Sequence, residues 1–506
     1  MDHLRIRFLP LAIVVLLLFC VCSGKVSTPL EEKSGDILTS FEEMIGFFET
    51  LRTETQAFSM DTIGVSAEGR SLILLHFRGP ADEEQRSSDK LKVLLFAQQH
   101  GDEPSGREAA AALVRDISTG VFSTFIDKID LYLIPQVNPD GDEKRQRVNA
   151  RGMDLNRNHL TLTEPEVITL HEQFHSIMPE VTLDIHEYGV AGSAWTAAGL
   201  QKNFGSQMGT ISNPNISMQL RSYAWTRVFP YIERELSVKN IGFQRYLVVS
   251  DPSRRFRYST TALNDGRNSF GIYNTLSFIL EGMKGETVEG NIHDRTHRQL
   301  ETVKTFLTFF HENADEVKRL VYDERRKLEN GNAQREVSII MDYVKDPARP
   351  DVTVNVVNTG SGLEEERTFD NFYPLVQSTL SVQRPQGYII PGENTDIVEL
   401  LRRHKIEVNR LSEPTRAAVE TYRIMGVNLT EIEDKDILKV EVRANSQVIT
   451  IPAGYFIVWT NQVQTNLIVT LLEPHSIWGI APLEEFAHML RVGSVYPIFR
   501  IMRILE

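Results

Sequence analysis

The apolar run Leu91 to Ala97 (LKVLLFA) breaks directly into QQHGDEPSG, and that junction is the strongest constraint on the fold. Such a run reads as a buried strand. The Gly-Asp pair after His100 suits a sharp turn, and GREAAAALVRDI then supplies a helix. The pattern repeats along the chain. SFEEMIGFFETLRTE reads as a helix and VSAEGRSLILLHFRG as a turn and strand, while IDLYLIPQVN, EVTLDIHE and NTLSFILE read as strands. Leu300, Val303, Phe306, Leu307 and Phe310 share one helical face in HRQLETVKTFLTFFHENADEVKRLV, a closing helix. Strands alternating with helices predict an α/β domain with a mostly parallel or mixed central sheet flanked by helices. Its chemistry belongs at the C-terminal edge of that sheet.

That edge carries His100, Glu103 and, at the end of EVTLDIHE, His186. Two imidazoles and one carboxylate leave the fourth position of a tetrahedral Zn²⁺ open for water, as a hydrolytic zinc requires. An isolated H-x-x-E is more often a polar turn. Its position after a buried strand, with a third ligand at another strand end, favours one metal site. His76, His159, His171 and His175 lie in no ligand-like motif and read as surface or satisfied histidines.

Between the ligands lies NPDGDEKRQRVNARGMDLNRNH. With HGDE, NPDG, R-x-N-A-R-G-x-D-L-N-R-N, a strand ending in Asp-Ile-His and a later apolar strand ending in Glu281, in that order, the chain resembles the M14 zinc carboxypeptidase family from about Phe41 to about Phe310. Ser66 to Ser71 (SAEGRS) is also family-like. The resemblance implies one zinc held by His100, Glu103 and His186, with Glu281 as general base for the attacking water. It implies that Arg147 faces the carbonyl oxygen, stabilising its developing charge. Asn156 and Arg157 would grip the substrate's terminal carboxylate, a task suited to a guanidinium fork. Each has a plainer alternative: a solvent-facing strand end for Glu281, a loop charge beside Lys144, Arg145 and Arg151 for Arg147, and capping for Asn156 and Arg157. Asp154 reads as structural.

The chain departs from the family pattern in three places. Tyr246, Tyr258 and Tyr273 all lie between His186 and Glu281, and spacing does not select the one that caps the substrate; Tyr258 is favoured. His159 follows N-R-N where the family often has an aromatic residue. GMKGE after Glu281 matches no specificity class.

The N-terminus reads as a secretory signal over 1–24, with Arg5 and Arg7 before the apolar run Leu9 to Val21. Cys20 and Cys22 are the chain's two cysteines, so the mature protein has no disulfide and no thiol nucleophile. Lipid attachment at either would be its one link to a membrane. A thiol-free exported chain suits a bacterial periplasm or cell surface, and a secreted protein is the alternative. The net charge of −14 without a basic stripe argues against nucleic acid.

Charged DERRKLENGN marks a boundary between a peptidase domain, 25–330, and a smaller α+β accessory domain, 331–506, that carries no catalytic constellation. In the latter, VTVNVVN and QGYIIPGEN read as strands, IVELLRRHKIEVNRL as a helix then a strand, KVEVRANSQVITIPAGYFIVW as two strands and LIVTLLE as a buried segment. PQGYIIP, ELLRRHKIEVNRL and IPAGYFIVW resemble the C-terminal part of long bacterial M14-like peptidases. This part is expected to complete the fold, with control of access to the zinc cleft as the alternative. The resemblance implies an exported metallocarboxypeptidase acting on peptides with a free C-terminal carboxylate. An amidase or deacylase acting on cell-wall stem peptides or N-acyl amino acids, and a non-catalytic peptide-binding protein, are the other two expectations.

Overall fold

The computed structural model describes residues 26–78, 90–331 and 335–505. The expected signal segment and both cysteines lie outside them. Eight strands form the central sheet: β1 (Ser59–Val65), β2 (Ser71–Phe77), β3 (Leu91–Ala97), β4 (Ile129–Ile134), β5 (Val181–Tyr188), β6 (Ser206–Thr210), β7 (Phe243–Arg245) and β8 (Leu276–Met283). Their order is β1-β2-β4-β3-β5-β8-β6-β7. β4, β3, β5 and β8 run parallel, while the pairs β1–β2, β2–β4 and β8–β6 are antiparallel. The fold is therefore α/β with a mixed sheet.

The apolar runs are central strands because both faces are covered. Val93, Leu94, Leu95 and Phe96 are fully buried, and so is every residue of β5. Helix α1 (Phe41–Thr55) begins at a capping box in which Ser40 accepts from the Glu43 N–H and Glu43 accepts from the Ser40 N–H. Helix α2 (Ser105–Ser118) is buried from Ser105 to Ile117 and packs against the long helix α4 (Ile292–Glu312). Ala109 to Ala112 let α2 lie close to its neighbours. Helix α3 (Pro165–Ile177) packs on β1, and α5 (Ala314–Glu329) follows α4.

Beyond α5 the chain is all but stitched into the first part. Strand Val352–Asn358 pairs with Leu200–Lys202, and Phe372–Tyr373 pairs with Phe256–Arg257. One apolar core runs from Met44 to Ile498 across both parts. A division near residue 330 therefore stays a proposal about sequence organisation rather than a cleft in the packing. A six-stranded sheet contains a long hairpin of β9 (Thr415–Ile432) and β10 (Lys435–Ile451), where sequence patterning anticipates β10 alone. LIVTLLE lies in a buried helix, Thr465–Leu472. Among the described residues, no helix is long and apolar enough to cross a membrane.

Candidate metal and peptidase site

Three adjacent parallel strands, β3, β5 and β8, end at one place, and each delivers a candidate residue there. His100 follows β3, His186 lies near the end of β5, and Glu281 on β8 stands directly opposite His186 in register.

The turn that carries His100 and Glu103 is held by the NPDG segment. Asn138 caps a short helix, Pro139–Glu143, by accepting from the Gly141 N–H at 2.9 Å, and its amide donates to the Gln99 carbonyl at 3.0 Å. Gly101 packs so closely on this helix that a Cβ there would lie 2.0 Å from the Gly141 carbonyl carbon. The glycine of HGDE is thus a packing requirement. Asp140 accepts from Ser66 Oγ at 2.8 Å, the Glu68 N–H at 2.9 Å and Arg70 at 2.7 Å, which accounts for SAEGRS. Asp142 pairs with buried Arg107 on α2.

His100 Nδ1 lies 2.9 Å from Glu103 Oε1 and 3.1 Å from His186 Nδ1, which is 3.0 Å from Glu103 Oε2. All three side chains are buried. Donor atoms about 2.0–2.1 Å from a tetrahedral zinc are separated by roughly 3.3 Å, so these three fit one ion. The outer ring nitrogens are also engaged. His186 Nε2 is 2.8 Å from Asp184 Oδ1, and His100 Nε2 is 3.1 Å from Asp154 Oδ1. Carboxylates in those places fix imidazole orientation and raise ligand basicity. Among the described residues, this is the one group of three or more His, Cys, Asp or Glu able to hold a metal ion. Burial works against the charge on Glu103, but His100 and His186 hold its pKa well below the usual range. Burial likewise opposes charge on His186, and Asp184 and Glu103 override it to raise its pKa.

Glu281 is buried, and that burial pushes its pKa up to about 7, with Glu103 adding to the rise while His186 and His100 oppose it. Arg147 donates from Nε to Asp154 Oδ2 at 3.0 Å and from Nη1 to Glu103 Oε1 at 3.4 Å. Buried Asn156 accepts from the Gly266 N–H at 2.9 Å and reaches His186 Nε2 at 3.3 Å, whereas Arg157 is exposed. His100, Glu103, Arg147, Asn156, Arg157 and Glu281 all line one cavity of about 430 Å³.

Tyr258 is not in that cavity. Its ring lies 4.6 Å from Trp225 and 5.1 Å from Phe372, facing a neighbouring cavity of about 500 Å³. Tyr246 lines both cavities, so the expectation placed on Tyr258 moves to Tyr246; Tyr273 is fully buried in the core. Asp154, read as structural, touches both His100 and Arg147. Asp184 went unnoticed, although it lies two residues before His186 and so on the same strand face. His76 is paired with Asp130 at 2.6 Å and His159 with Gln99 at 2.8 Å. His171 is paired through Nε2 with His159 at 3.0 Å, while its Nδ1 and His175 Nε2 are buried without a hydrogen-bond partner among the described residues.

Residues 44–194 match the family model described as "Zinc carboxypeptidase", a span that contains His100, Glu103 and His186. The chain is 26% identical over 460 residues to "Carboxypeptidase 2" of Trichophyton tonsurans, covering 86% of this chain and 81% of that one. With "Carboxypeptidase 2" of Trichophyton rubrum it shares 26% over 490 residues, covering 92% and 86%. By these matches the chain is similar to the M14 zinc carboxypeptidases. It is a zinc metallopeptidase of carboxypeptidase type. Among solved structures, a metallo-carboxypeptidase from Burkholderia cenocepacia aligns at a TM-score of 0.43 and 20% identity over 55% of this chain and 70% of that chain. The family match stops before Glu281, whose place beside His186 is a matter of strand register.

Proposed function

We propose that this M14 chain is an exported carboxypeptidase that removes single C-terminal residues from peptides. His100, Glu103 and His186 hold one zinc ion, Glu281 is the general base, and Arg147, Asn156 and Arg157 bind the substrate. The observation that carries this reading is the convergence of all seven side chains on one place, six of them lining one cavity with His186 against its His100 and Glu103.

When bound, zinc supplies Lewis acidity at the scissile carbonyl and makes water a better nucleophile. Glu281 accepts the proton that the attacking water loses and returns it to the departing amine. Its carboxylate, whose pKa burial raises, suits both transfers. Arg147 is held by Asp154 and turned toward Glu103, where it meets the charge that develops on the carbonyl oxygen. Arg157 has no carboxylate partner among the described residues and presents its fork to the terminal carboxylate. Asn156, fixed by the Gly266 N–H, lines the same space. Tyr246 walls the cavity beside them.

The proposal of export rests on the N-terminal apolar run, and a bacterial envelope address rests on the lack of cysteine after Cys22. The test is a mixed peptide library incubated with the zinc-loaded protein and read by mass spectrometry beside a chelated control. Chelator-sensitive loss of single C-terminal residues is expected. Intact peptides, with cleavage of acyl-amino acids or cell-wall stem peptides instead, would overturn the substrate class.

A further inference from the structure

One wall of the metal-site cavity comes from the C-terminal part of the chain. Hairpin β9–β10 turns at Glu433 and Asp434, both at positive φ (52° and 63°), and Glu433, Asp434 and Lys435 line the cavity. The turn is firmly docked. Glu433 is 2% exposed, and its carboxylate accepts from the Thr261 N–H at 2.8 Å, Thr261 Oγ at 2.6 Å and Thr260 Oγ at 2.5 Å. Arg257 donates to the Glu433 carbonyl at 3.1 Å, and Arg255 donates to Asp434 at 3.1 Å.

These contacts leave the charges of the cavity unequally matched. Arg147 is held by Asp154, Arg255 by Asp434 and Asp342, Arg257 by the turn, and Arg267 by Asp265. Arg254 lies 3.7 Å from Asp434. Lys435 is different. It is exposed to the cavity, and among the described residues it has no ion pair or side-chain hydrogen bond. Arg157 likewise lacks a carboxylate partner. Partial burial, and then Arg157, disfavour the charge on Lys435, so the two cations feel each other. A substrate's main-chain carboxylate compensates only one of them.

We propose that Lys435 is a specificity-determining residue that binds an acidic side chain on the C-terminal residue of the substrate, so that peptides ending in glutamate or aspartate are favoured. The proposal rests on the carboxypeptidase reading above, in which Arg157 takes the main-chain carboxylate. The C-terminal part of the chain would then complete the substrate site as well as the fold.

The test uses three peptides identical except for a C-terminal Glu, Leu or Lys, with kcat/KM measured for the zinc-loaded wild type, Lys435→Met and Lys435→Glu. The wild type is expected to prefer Glu over Leu. In Lys435→Met the Glu:Leu ratio falls about 10–100-fold, the size of a lost charged hydrogen bond, and in Lys435→Glu the Lys peptide gains on the Glu peptide. Each ratio is internal to one protein sample, so partial loss of folded enzyme cancels. An unchanged ratio in Lys435→Met overturns the assignment while leaving the carboxypeptidase reading intact. No cleavage of any of the three by the wild type counts against that reading and removes the inference with it.

Discussion

Asp184→Asn isolates the carboxylate behind His186 with little change of shape. Asp184 Oδ1 faces His186 Nε2 at 2.8 Å, and Oδ2 accepts from Gln99 Nε2 at 2.8 Å. The same Gln99 offers its Oε1 to His159 Nε2 at 2.8 Å. An asparagine has one acceptor where the aspartate has two. If its amide nitrogen faces His186, it meets the ring N–H that must point outward when Nδ1 binds a metal. If it faces Gln99, that amide must flip and face His159 with N–H groups. Either arrangement removes the carboxylate charge that lies 2.8 Å from His186 Nε2. The expected loss is roughly 10–100-fold in zinc affinity, the range for carboxylates behind metal-bound histidines. Zinc affinity is measured by competition with a chromophoric chelator at neutral pH, with circular dichroism to confirm the fold. A correctly folded Asp184→Asn that binds zinc within threefold of the wild type would refute the assignment of Nδ1 as the metal-facing nitrogen of His186.

Gly101→Ala places a Cβ 2.0 Å from the Gly141 carbonyl carbon and 2.3 Å from the Asp142 nitrogen, both backbone atoms. The variant should lose about 1–3 kcal/mol or more in chemical denaturation and bind zinc more weakly, because His100 and Glu103 flank the displaced turn; wild-type stability would contradict the close approach. His404 is buried, and burial lowers its pKa to about 4 against the Leu160 carbonyl, which accepts from it and opposes the shift. The unfolded chain binds that proton below about pH 6.5 and the folded one only below about 4, so the neutral imidazole's contribution is present above 6.5 and lost as pH falls toward 4. Wild-type stability should therefore fall more steeply than that of His404→Gln over this window, by about 1.4 kcal/mol per pH unit; parallel denaturation profiles would show that His404 does not carry the shift.

The convergence of His100, Glu103, His186 and Glu281, and the central strands, were legible in the sequence because each is tied to a local signal. An apolar run long enough for one strand predicts burial, and residues at its end predict the sheet edge. Tyr258 falls outside the cavity, which the sequence does not signal because the segment between β7 and β8 holds only the two-residue strand Phe256–Arg257 and the short helix Gly266–Gly271, too little regular structure for periodicity to indicate which way a side chain points. Asp184 was visible in Asp-Ile-His, but its role depends on the rotation of the His186 ring, which spacing does not encode. The contribution of Glu433 to Lys435 was hidden for a different reason. Those residues lie about 150 positions beyond Glu281 in the chain, and only the docking of a two-residue turn on Thr260 and Thr261 brings them to the cavity. The long hairpin itself was half-missed, because β9 alternates weakly through polar residues at its exposed end.

The central claim is that Glu281 acts as the base at a metal site that forms without it. Glu281→Gln keeps the side-chain volume and removes the proton acceptor. Zinc stoichiometry and kcat on a cleavable peptide, measured on the same sample, test it directly. One zinc per chain with kcat reduced by at least about 100-fold is predicted. One zinc per chain with turnover near that of the wild type would contradict the account.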